Sequence, residues 1–259
     1  MVNAGWDDVE HLSEKAKKQM LAATPQHLRD AVTKGIPVLG SGAVFNIGES
    51  DILYDNVEIH HSWPRLCGLD VGFTTDPTAA ILGAKDPSTG IIYIYDEYGD
   101  VSNNVMSPSQ HVPFLHRKQC NWIPVIYDSA ANAKTGASGA AVADSYRDMG
   151  LNMLPESFKN PKALRQNNNS YKAILPGLVR MQELFLAGKL KIHARNCPNF
   201  WREFRSYSYD DKGNPSHLDN HWMDAARYCV MSIERDLGQV QNSNIWNDDD
   251  ESEFQFNAY

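Results

Sequence analysis

Apolar residues recur at helical spacing near the beginning of the chain. Over residues 8–23 they stand three to four positions apart, which predicts an amphipathic helix. A second short helix is predicted over residues 25–33. The stretch 35–42, rich in glycine and containing proline, then interrupts regular structure. Residues 1–62 are therefore predicted to form a linker or appendage that is too small to own a hydrophobic core.

From Trp63 onward the pattern changes to short apolar runs separated by turn residues and helical segments. Runs rich in β-branched and aromatic residues predict strands. The turn residues at 86–90 separate the second run from the third, so the first three strands are expected to form an antiparallel meander. The predicted strands are Leu66–Asp70, Ala79–Ala84, Ile91–Tyr95, Ile123–Asp128, Leu151–Leu154 and Leu190–His193.

Helices are predicted between and after the later strands. A three-strand meander followed by alternating helices and strands is the element order of ribonuclease-H-like folds. We therefore predict that residues 63–238 form an α/β domain. Its mixed sheet is expected to contain an antiparallel three-strand meander plus parallel strands and to be flanked by helices. The predicted helices begin near Ser107, follow Asp128 as far as Met149, and cover Tyr171–Leu186, Pro198–Tyr207 and Asn220–Asp236.

The charge of the chain limits its possible partners. The net charge is −8, which argues against a protein that holds nucleic acid by charge alone. A nuclease must also concentrate carboxylates around its metal ions, so this balance does not exclude DNA as a substrate. Part of the excess is local, because five of the last twelve residues are acidic. Residues 239–259 are therefore predicted to be an acidic, disordered tail.

Membrane insertion and secretion are both disfavoured by the sequence. No apolar run approaches the roughly 20 residues that span a bilayer. The N-terminus lacks a basic patch followed by an apolar stretch, so no signal peptide is predicted. Cys67, Cys120, Cys197 and Cys229 lie far apart and form no CxxC pair. They are interpreted as reduced thiols of a cytosolic protein.

Acidic residues stand at the positions where α/β enzymes place their chemistry. Asp70 and Asp128 each end an apolar strand, Asp224 lies near the start of a predicted helix, and Glu97 follows the third strand. Carboxylates that converge repel one another, and divalent cations relieve that repulsion. Oxygen ligands suit Mg²⁺ or Mn²⁺ better than Zn²⁺. Two such ions roughly 3.5–4 Å apart can activate a water and stabilise a leaving oxygen.

Other interpretations of these residues stay open at this point. An acid at a strand end is more often a turn or cap residue than a metal ligand. His217 and His221 are four apart, but a zinc site would need further ligands, so capping or turn roles are favoured. Lys134 could meet a phosphate or be solvated. Arg202 and Arg205 could contact DNA or belong to an ordinary amphipathic helix.

Four segments of the chain resemble the large terminase subunits of tailed bacteriophages. The segment 29–45 is similar to the stretch that joins motor and nuclease in that family. Cys67–Gly72 (CGLDVG) with Asp76–Ala79 (DPTA) resembles its first catalytic strand. The strand 123–128 (IPVIYD) and the helix 220–228 (NHWMDAARY) complete the match. The helix motif is the most specific of the four.

The resemblance implies a ribonuclease-H-like nuclease that uses two Mg²⁺ or Mn²⁺ ions. Asp70, Asp128 and Asp224 match the three catalytic, metal-binding acids of the family. Glu97, as a further metal ligand, and Lys134 match the family pattern less closely.

The resemblance also implies a role in virus assembly. The expected activity is an endonuclease that cuts concatemeric double-stranded viral DNA during genome packaging, in the host cytoplasm. The expected partners in the intact motor are the ATPase domain, the portal protein and the small terminase subunit. The chain contains no G-x-x-x-x-G-K-[ST] sequence, so we expect a fragment without ATPase activity. Residues 1–62 would then be a remnant of the ATPase lid region.

Two alternative functions are compatible with the same residues. One is another ribonuclease-H-like nuclease, such as a resolvase or transposase core, although such proteins need no segment like 29–45. The other is a non-catalytic docking module of the packaging motor. Metal-dependent nicking of plasmid DNA distinguishes an enzyme from a docking module.

Overall fold

The structure is a computed structural model of the chain. It describes Lys17 and residues 42–72, 76–99, 106–132, 141–160, 170–210, 213–216 and 219–238. The predicted helices at 8–23, apart from Lys17, and at 25–33 lie outside the described residues, as does the predicted tail 239–259.

A six-stranded mixed sheet forms the centre of the fold, with strand order β1-β6-β4-β3-β2-β5. The pairs β2–β3 and β3–β4 are antiparallel, whereas β5 runs parallel to β2, β6 parallel to β4, and β1 parallel to β6. The predicted meander with added parallel strands is confirmed. The strands are β1 (Leu53–Tyr54), β2 (Arg65–Asp70), β3 (Ala79–Lys85), β4 (Ile92–Tyr98), β5 (Val125–Tyr127) and β6 (Leu190–His193).

Helices flank this sheet and mostly match the predicted segments. The second one begins where the sequence indicated, with Pro108 in its first turn and the Gln110 side chain accepting the backbone N–H of Ser107 at 2.8 Å. The helices are α1 (Glu49–Ile52), α2 (Pro108–Arg117), a 3₁₀ turn (Ser129–Asn132), α3 (Val142–Asp148), α4 (Ser170–Leu186), α5 (Pro198–Ser206) and α6 (His221–Gly238).

Two predictions of local structure differ from the observed elements. The predicted helix after Asp128 is a 3₁₀ turn followed, beyond residues that are not described, by the short α3. The predicted strand 151–154 forms a single bridge, between Met153 and Val125. It extends no further because the chain departs from β5 after Leu154. The Tyr127 carbonyl accepts the N–H of Phe158 and not that of Glu156, which a continued parallel pair would use.

Hydrophobic side chains cover both faces of the sheet in two clusters. One cluster joins the sheet to α4, α5 and α6, and the other joins it to α2 and α3. Along β2 the side chains alternate between these faces, as the two-residue period of a strand requires. Leu66 belongs to the α6 side, whereas Cys67 and Leu69 belong to the opposite side. Asp70 therefore follows on the same side as α6.

Residues before the predicted boundary at 62/63 are part of the packed core. Phe45 stacks on Phe204 of α5, with ring centroids 5.6 Å apart. Ile52 is fully buried, and β1 pairs with β6 at the edge of the sheet. The division into a 1–62 linker, a 63–238 nuclease domain and a 239–259 tail stays a prediction, but the packing does not break at residue 62.

Helix α6 lies unusually close to the sheet because glycines stand beneath it. A Cβ atom at Gly68 would lie 2.1 Å from the carbonyl oxygen of Ala225 and 2.8 Å from the amide nitrogen of Cys229. A Cβ atom at Gly83 would lie 2.7 Å from the Cys229 sulfur. The helix thus crosses β2 and β3 in near backbone contact, and this fixes its N-terminal turn beside the end of β2. None of the helices in the described part of the chain is long and apolar enough to cross a membrane.

Candidate functional site

Two of the predicted catalytic acids lie side by side at the ends of neighbouring strands. Asp70 is the last residue of β2, and Asp128 directly follows β5. These strands are parallel neighbours, with Leu69 paired to Tyr127. Each acid is therefore one residue beyond a paired position, at the same carboxyl-terminal edge. Ligands of open α/β sheets bind at this edge.

The third acid reaches this edge from helix α6. Asp224 stands in the first turn of the helix, one residue before Ala225, which is in contact with Gly68 of β2. The pKa of Asp70 is raised to about 6: burial is the largest cause, the hydrogen bond and charge of His221 act against it, and the charges of Asp224 and Asp128 add to the rise. The three acids therefore lie close enough to interact electrostatically.

His221 is a direct partner of Asp70 that the sequence analysis did not identify. Its Nδ1–H donates to Asp70 Oδ2 at 3.1 Å. Burial opposes the charged imidazole, but the hydrogen bond and charge of Asp70 outweigh it, so the pKa of His221 is raised. Its position in the sequence could have indicated this role. His221 lies three residues before Asp224, so both side chains lie on the same face of the helix. His217, four residues before His221, lies outside the described residues.

Asp224 is held by two polar neighbours. Arg227 Nη2 donates to Asp224 Oδ1 at 2.8 Å, and Asn220 Nδ2 donates to Asp224 Oδ2 at 3.1 Å. Arg227 is only 2% exposed, and its Nη1 also donates to Asn160 Oδ1 at 2.9 Å. Burial disfavours the charge of Arg227, but the carboxylate of Asp224 more than compensates and raises its pKa. Arg227 is therefore a buried, charged partner of Asp224. Gly177 of α4 makes room for it, since a Cβ there would lie 2.6 Å from Arg227 Cδ.

The donor set of this site fits a hard divalent cation. Its three acids offer only oxygen ligands, the type that Mg²⁺ and Mn²⁺ prefer. Burial and mutual repulsion raise the pKa of Asp70, and a bound cation relieves such repulsion. Within the described residues, however, no three His, Cys, Asp or Glu side chains are grouped to hold an ion as they stand. Asp70 is hydrogen-bonded to His221, and Asp224 to Arg227.

Glu97 lies within β4 and serves a different purpose from the predicted one. Its two carboxylate oxygens accept the backbone N–H groups of Asn199, at 2.7 Å, and Phe200, at 2.9 Å. Burial raises its pKa, and these hydrogen bonds partly offset the effect. The side chain thus caps the N-terminus of α5. Because both oxygens are already engaged, this placement does not support the expectation that Glu97 binds metal.

The basic residues considered for DNA contact differ in their surroundings. Arg205 forms a two-pronged ion pair with Glu49, with both N–O distances 2.7 Å. Arg202 lies over the ring of Trp222 at 5.4 Å, beside the start of α6, and its side chain is 44% exposed. Lys134 lies outside the described residues. A role in DNA contact stays a prediction for all three, and Arg202 has the position that suits it best.

Comparisons with known proteins relate this chain to phage large terminase subunits. The chain is 28% identical over 231 residues to the terminase large subunit of Salmonella phage P22, covering 89% of this chain and 44% of the relative. The terminase large subunit of Enterobacteria phage LP7 matches at the same identity and length, with 46% of the relative covered. The chain therefore spans less than half the length of these curated relatives.

A solved structure confirms the fold, and a family profile gives the membership. The nuclease domain of the P22 large terminase superposes with a TM-score of 0.63 at 24% identity, covering 77% of this chain and 98% of that one. The profile described as the terminase RNaseH-like domain matches residues 68–233, which is more than half of the chain and includes Asp70, Asp128 and Asp224. The chain belongs to the terminase RNaseH-like domain family.

Proposed function

We propose that this chain is the nuclease part of a phage large terminase subunit. It would act as a metal-dependent endonuclease that cuts concatemeric double-stranded viral DNA during genome packaging, in the host cytoplasm. The observation that carries the proposal is the convergence of Asp70, Asp128 and Asp224 at one edge of the sheet. ATP hydrolysis is not part of the proposal, because the chain contains no P-loop sequence.

The acids of the chain would hold the ions, and their neighbours would orient the acids. Asp70, Asp128 and Asp224 are the proposed ligands of two Mg²⁺ or Mn²⁺ ions. Bound in this way, the ions would supply Lewis acidity that activates a water and stabilises the leaving oxygen of a phosphodiester. His221 restrains Asp70, while Arg227 restrains Asp224 through hydrogen bonds. Partners of this kind, behind the ligands, tune both orientation and affinity.

The sites of DNA contact and the partners follow from the proposal. A chain of net charge −8 is expected to bind DNA weakly and without sequence preference, with an affinity that falls steeply as salt rises. Lys134, Arg202 and Arg205 are the proposed contacts to the DNA backbone, and Arg205 would have to leave its ion pair with Glu49. In the intact motor, the neighbours would be the ATPase domain, the portal protein and the small terminase subunit.

Nicking of supercoiled plasmid is the direct test of this function. Purified protein with Mn²⁺ or Mg²⁺ is expected to convert supercoiled DNA to open-circular and linear forms, and EDTA is expected to stop the reaction. The products are separated on an agarose gel over a series of metal concentrations. A folded protein that leaves the plasmid intact at every metal concentration would instead be a docking module of the motor.

A further inference from the structure

The first turn of α6 is capped by a residue from another helix. The opening N–H groups of a helix have no partner within it, and the residue just before the helix often supplies its own side-chain oxygen. Here that residue is Asn220, whose carbonyl accepts the first helical hydrogen bond, from Asp224 N–H at 2.8 Å. The N–H groups of Trp222 and Met223 nevertheless donate to Glu203 Oε2, at 2.7 and 3.1 Å.

In this arrangement the side chain of Asn220 forms a different hydrogen bond. Its Nδ2 donates to Asp224 Oδ2 at 3.1 Å. Asparagine is among the residue types best suited to cap a helix with its own side chain. Because Glu203 already satisfies the two N–H groups, the Asn220 amide is available to hold a proposed metal ligand.

Glu203 itself is rigidly placed. It is 0% exposed and lies on α5, the helix that Glu97 of β4 caps at its other end. Two buried carboxylates thus connect the sheet to α5 and α5 to α6. A negative group at a helix N-terminus is also favoured by the helix dipole. The remaining oxygen, Glu203 Oε1, lies 3.7 Å from Arg202 Nη2.

We infer that Glu203 is a positioning residue for the proposed metal centre: it caps α6 from a neighbouring helix and thereby leaves Asn220 to orient Asp224. The inference rests on the proposed function, since the orientation of Asp224 affects metal affinity only if Asp224 is a ligand. Glu203 touches neither metal nor DNA in this scheme and acts entirely through Asn220.

Removing the cap is expected to weaken metal binding. In Glu203→Ala the N–H groups of Trp222 and Met223 lose their acceptor inside the protein, where an unpaired donor is costly. Asn220 is the residue placed to replace it, and in doing so its side chain releases Asp224. The Kd for Mn²⁺ is expected to rise about tenfold, at the lower end of the range for residues that support metal ligands. Glu203→Gln keeps a carbonyl oxygen for both N–H groups and is expected to bind Mn²⁺ nearly as wild type does.

Two further variants separate positioning from simple loss of stability. Glu234 lies on the same helix, ten residues after Asp224 and about 15 Å along the axis, and pairs with Arg180 of α4 at 2.9 and 3.0 Å. Glu234→Ala therefore loosens α6 far from the site and should leave the Mn²⁺ affinity unchanged. Asn220→Ala should raise the Kd as Glu203→Ala does. In the double variant Glu203→Ala/Asn220→Ala the Kd should rise no further than in either single variant, because both substitutions act through the same hydrogen bond.

The experiment is calorimetric titration of each folded variant with Mn²⁺, alongside plasmid nicking over the same metal range. It is run at pH 8, since burial raises the pKa of Glu203 to about 7. Melting by circular dichroism establishes folding. Should Glu203→Ala not fold, Glu203→Asp takes its place. Its carboxylate is one methylene shorter and retracts from the helix, so the Kd should again rise.

The outcomes distinguish this inference from the proposed function. Wild-type protein that neither binds Mn²⁺ nor nicks DNA overturns both. If the wild-type protein binds Mn²⁺ and Glu203→Ala binds it equally well, or if Glu234→Ala weakens binding as much as Glu203→Ala does, the positioning role alone is overturned. The positioning role is also overturned if the losses in Mn²⁺ binding free energy of the two single variants simply add in the double variant, because Glu203 and Asn220 would then act independently.

Discussion

Asp70→Asn and Asp224→Asn are each expected to lose roughly 100-fold or more of the metal-dependent nicking activity while remaining folded. Asparagine keeps the shape of the side chain but removes the charge that attracts a divalent ion. Changes to residues that merely support metal ligands already cost 10–100-fold, so loss of a ligand should cost at least as much. Initial rates on supercoiled plasmid at saturating Mn²⁺ measure the effect. Full activity in either variant would refute the metal assignment.

The same two variants should differ in stability without metal. Burial raises the pKa of Asp70 in the folded protein to about 6 from 3.8. The folded state therefore holds this proton more tightly than the unfolded state, and that contribution to stability is lost as the pH rises through 6. With EDTA at pH 7.5, Asp70→Asn should melt above wild type, and below pH 4 this advantage should vanish. Asp224→Asn should melt lower, because Arg227 is 2% exposed and loses its charged partner.

Gly68→Ala is expected to destabilise the protein by about 3 kcal/mol, at the upper end of the usual range for overpacking. The new Cβ would lie 2.1 Å from the Ala225 carbonyl and 2.8 Å from the Cys229 amide nitrogen. Both are backbone atoms of α6, so no side-chain rotation relieves the clash and the helix must move away from β2. Chemical denaturation in urea, followed by circular dichroism, measures the loss. Because Asp224 travels with the helix, Mn²⁺ affinity should fall as well.

Gly48→Ala is the matched control for this substitution. Gly48 has an ordinary φ of −66°, and the nearest atoms to a Cβ there would be side-chain atoms, the Asp51 carboxylate at 3.1 Å and the Ser50 hydroxyl at 3.6 Å. Its stability should remain within about 1 kcal/mol of wild type. If Gly68→Ala proved as mild as Gly48→Ala, the close contact between α6 and the sheet could not be what fixes the site.

The three candidate acids could be predicted from the sequence because each lies in a recognisable local pattern. Asp70 and Asp128 end runs of apolar residues long enough to be recognised as strands. Asp224 lies in a motif within an amphipathic helix. The meander and its order of strands followed from the same runs, since short turns leave few other ways to connect them.

The partners of Asp70 and Glu97 could not be predicted from local patterns, because they come from distant segments, whereas Asn220 and Arg227 lie only four and three positions from Asp224. His221 and Asp70 are 151 positions apart, and Glu97 and Asn199 are 102 apart. From sequence, Glu97 is an acid after a strand, like Asp70 and Asp128. Only the approach of α5 turns its carboxylate into a helix cap. Strand β1 has two residues, too few for any periodicity to appear.

The contacts of Arg227 and His221 have a consequence for the proposed binding of metal ions. Two of the three acids already have basic partners within the chain itself, Arg227 at Asp224 and His221 at Asp70. We therefore expect the fold to stand without a metal, in contrast to zinc modules that unfold when a chelator removes the ion. Under the proposed function, a divalent cation would compete for carboxylates that are already hydrogen-bonded. The supply of free cation would then switch DNA cutting on and off in a protein that stays folded throughout.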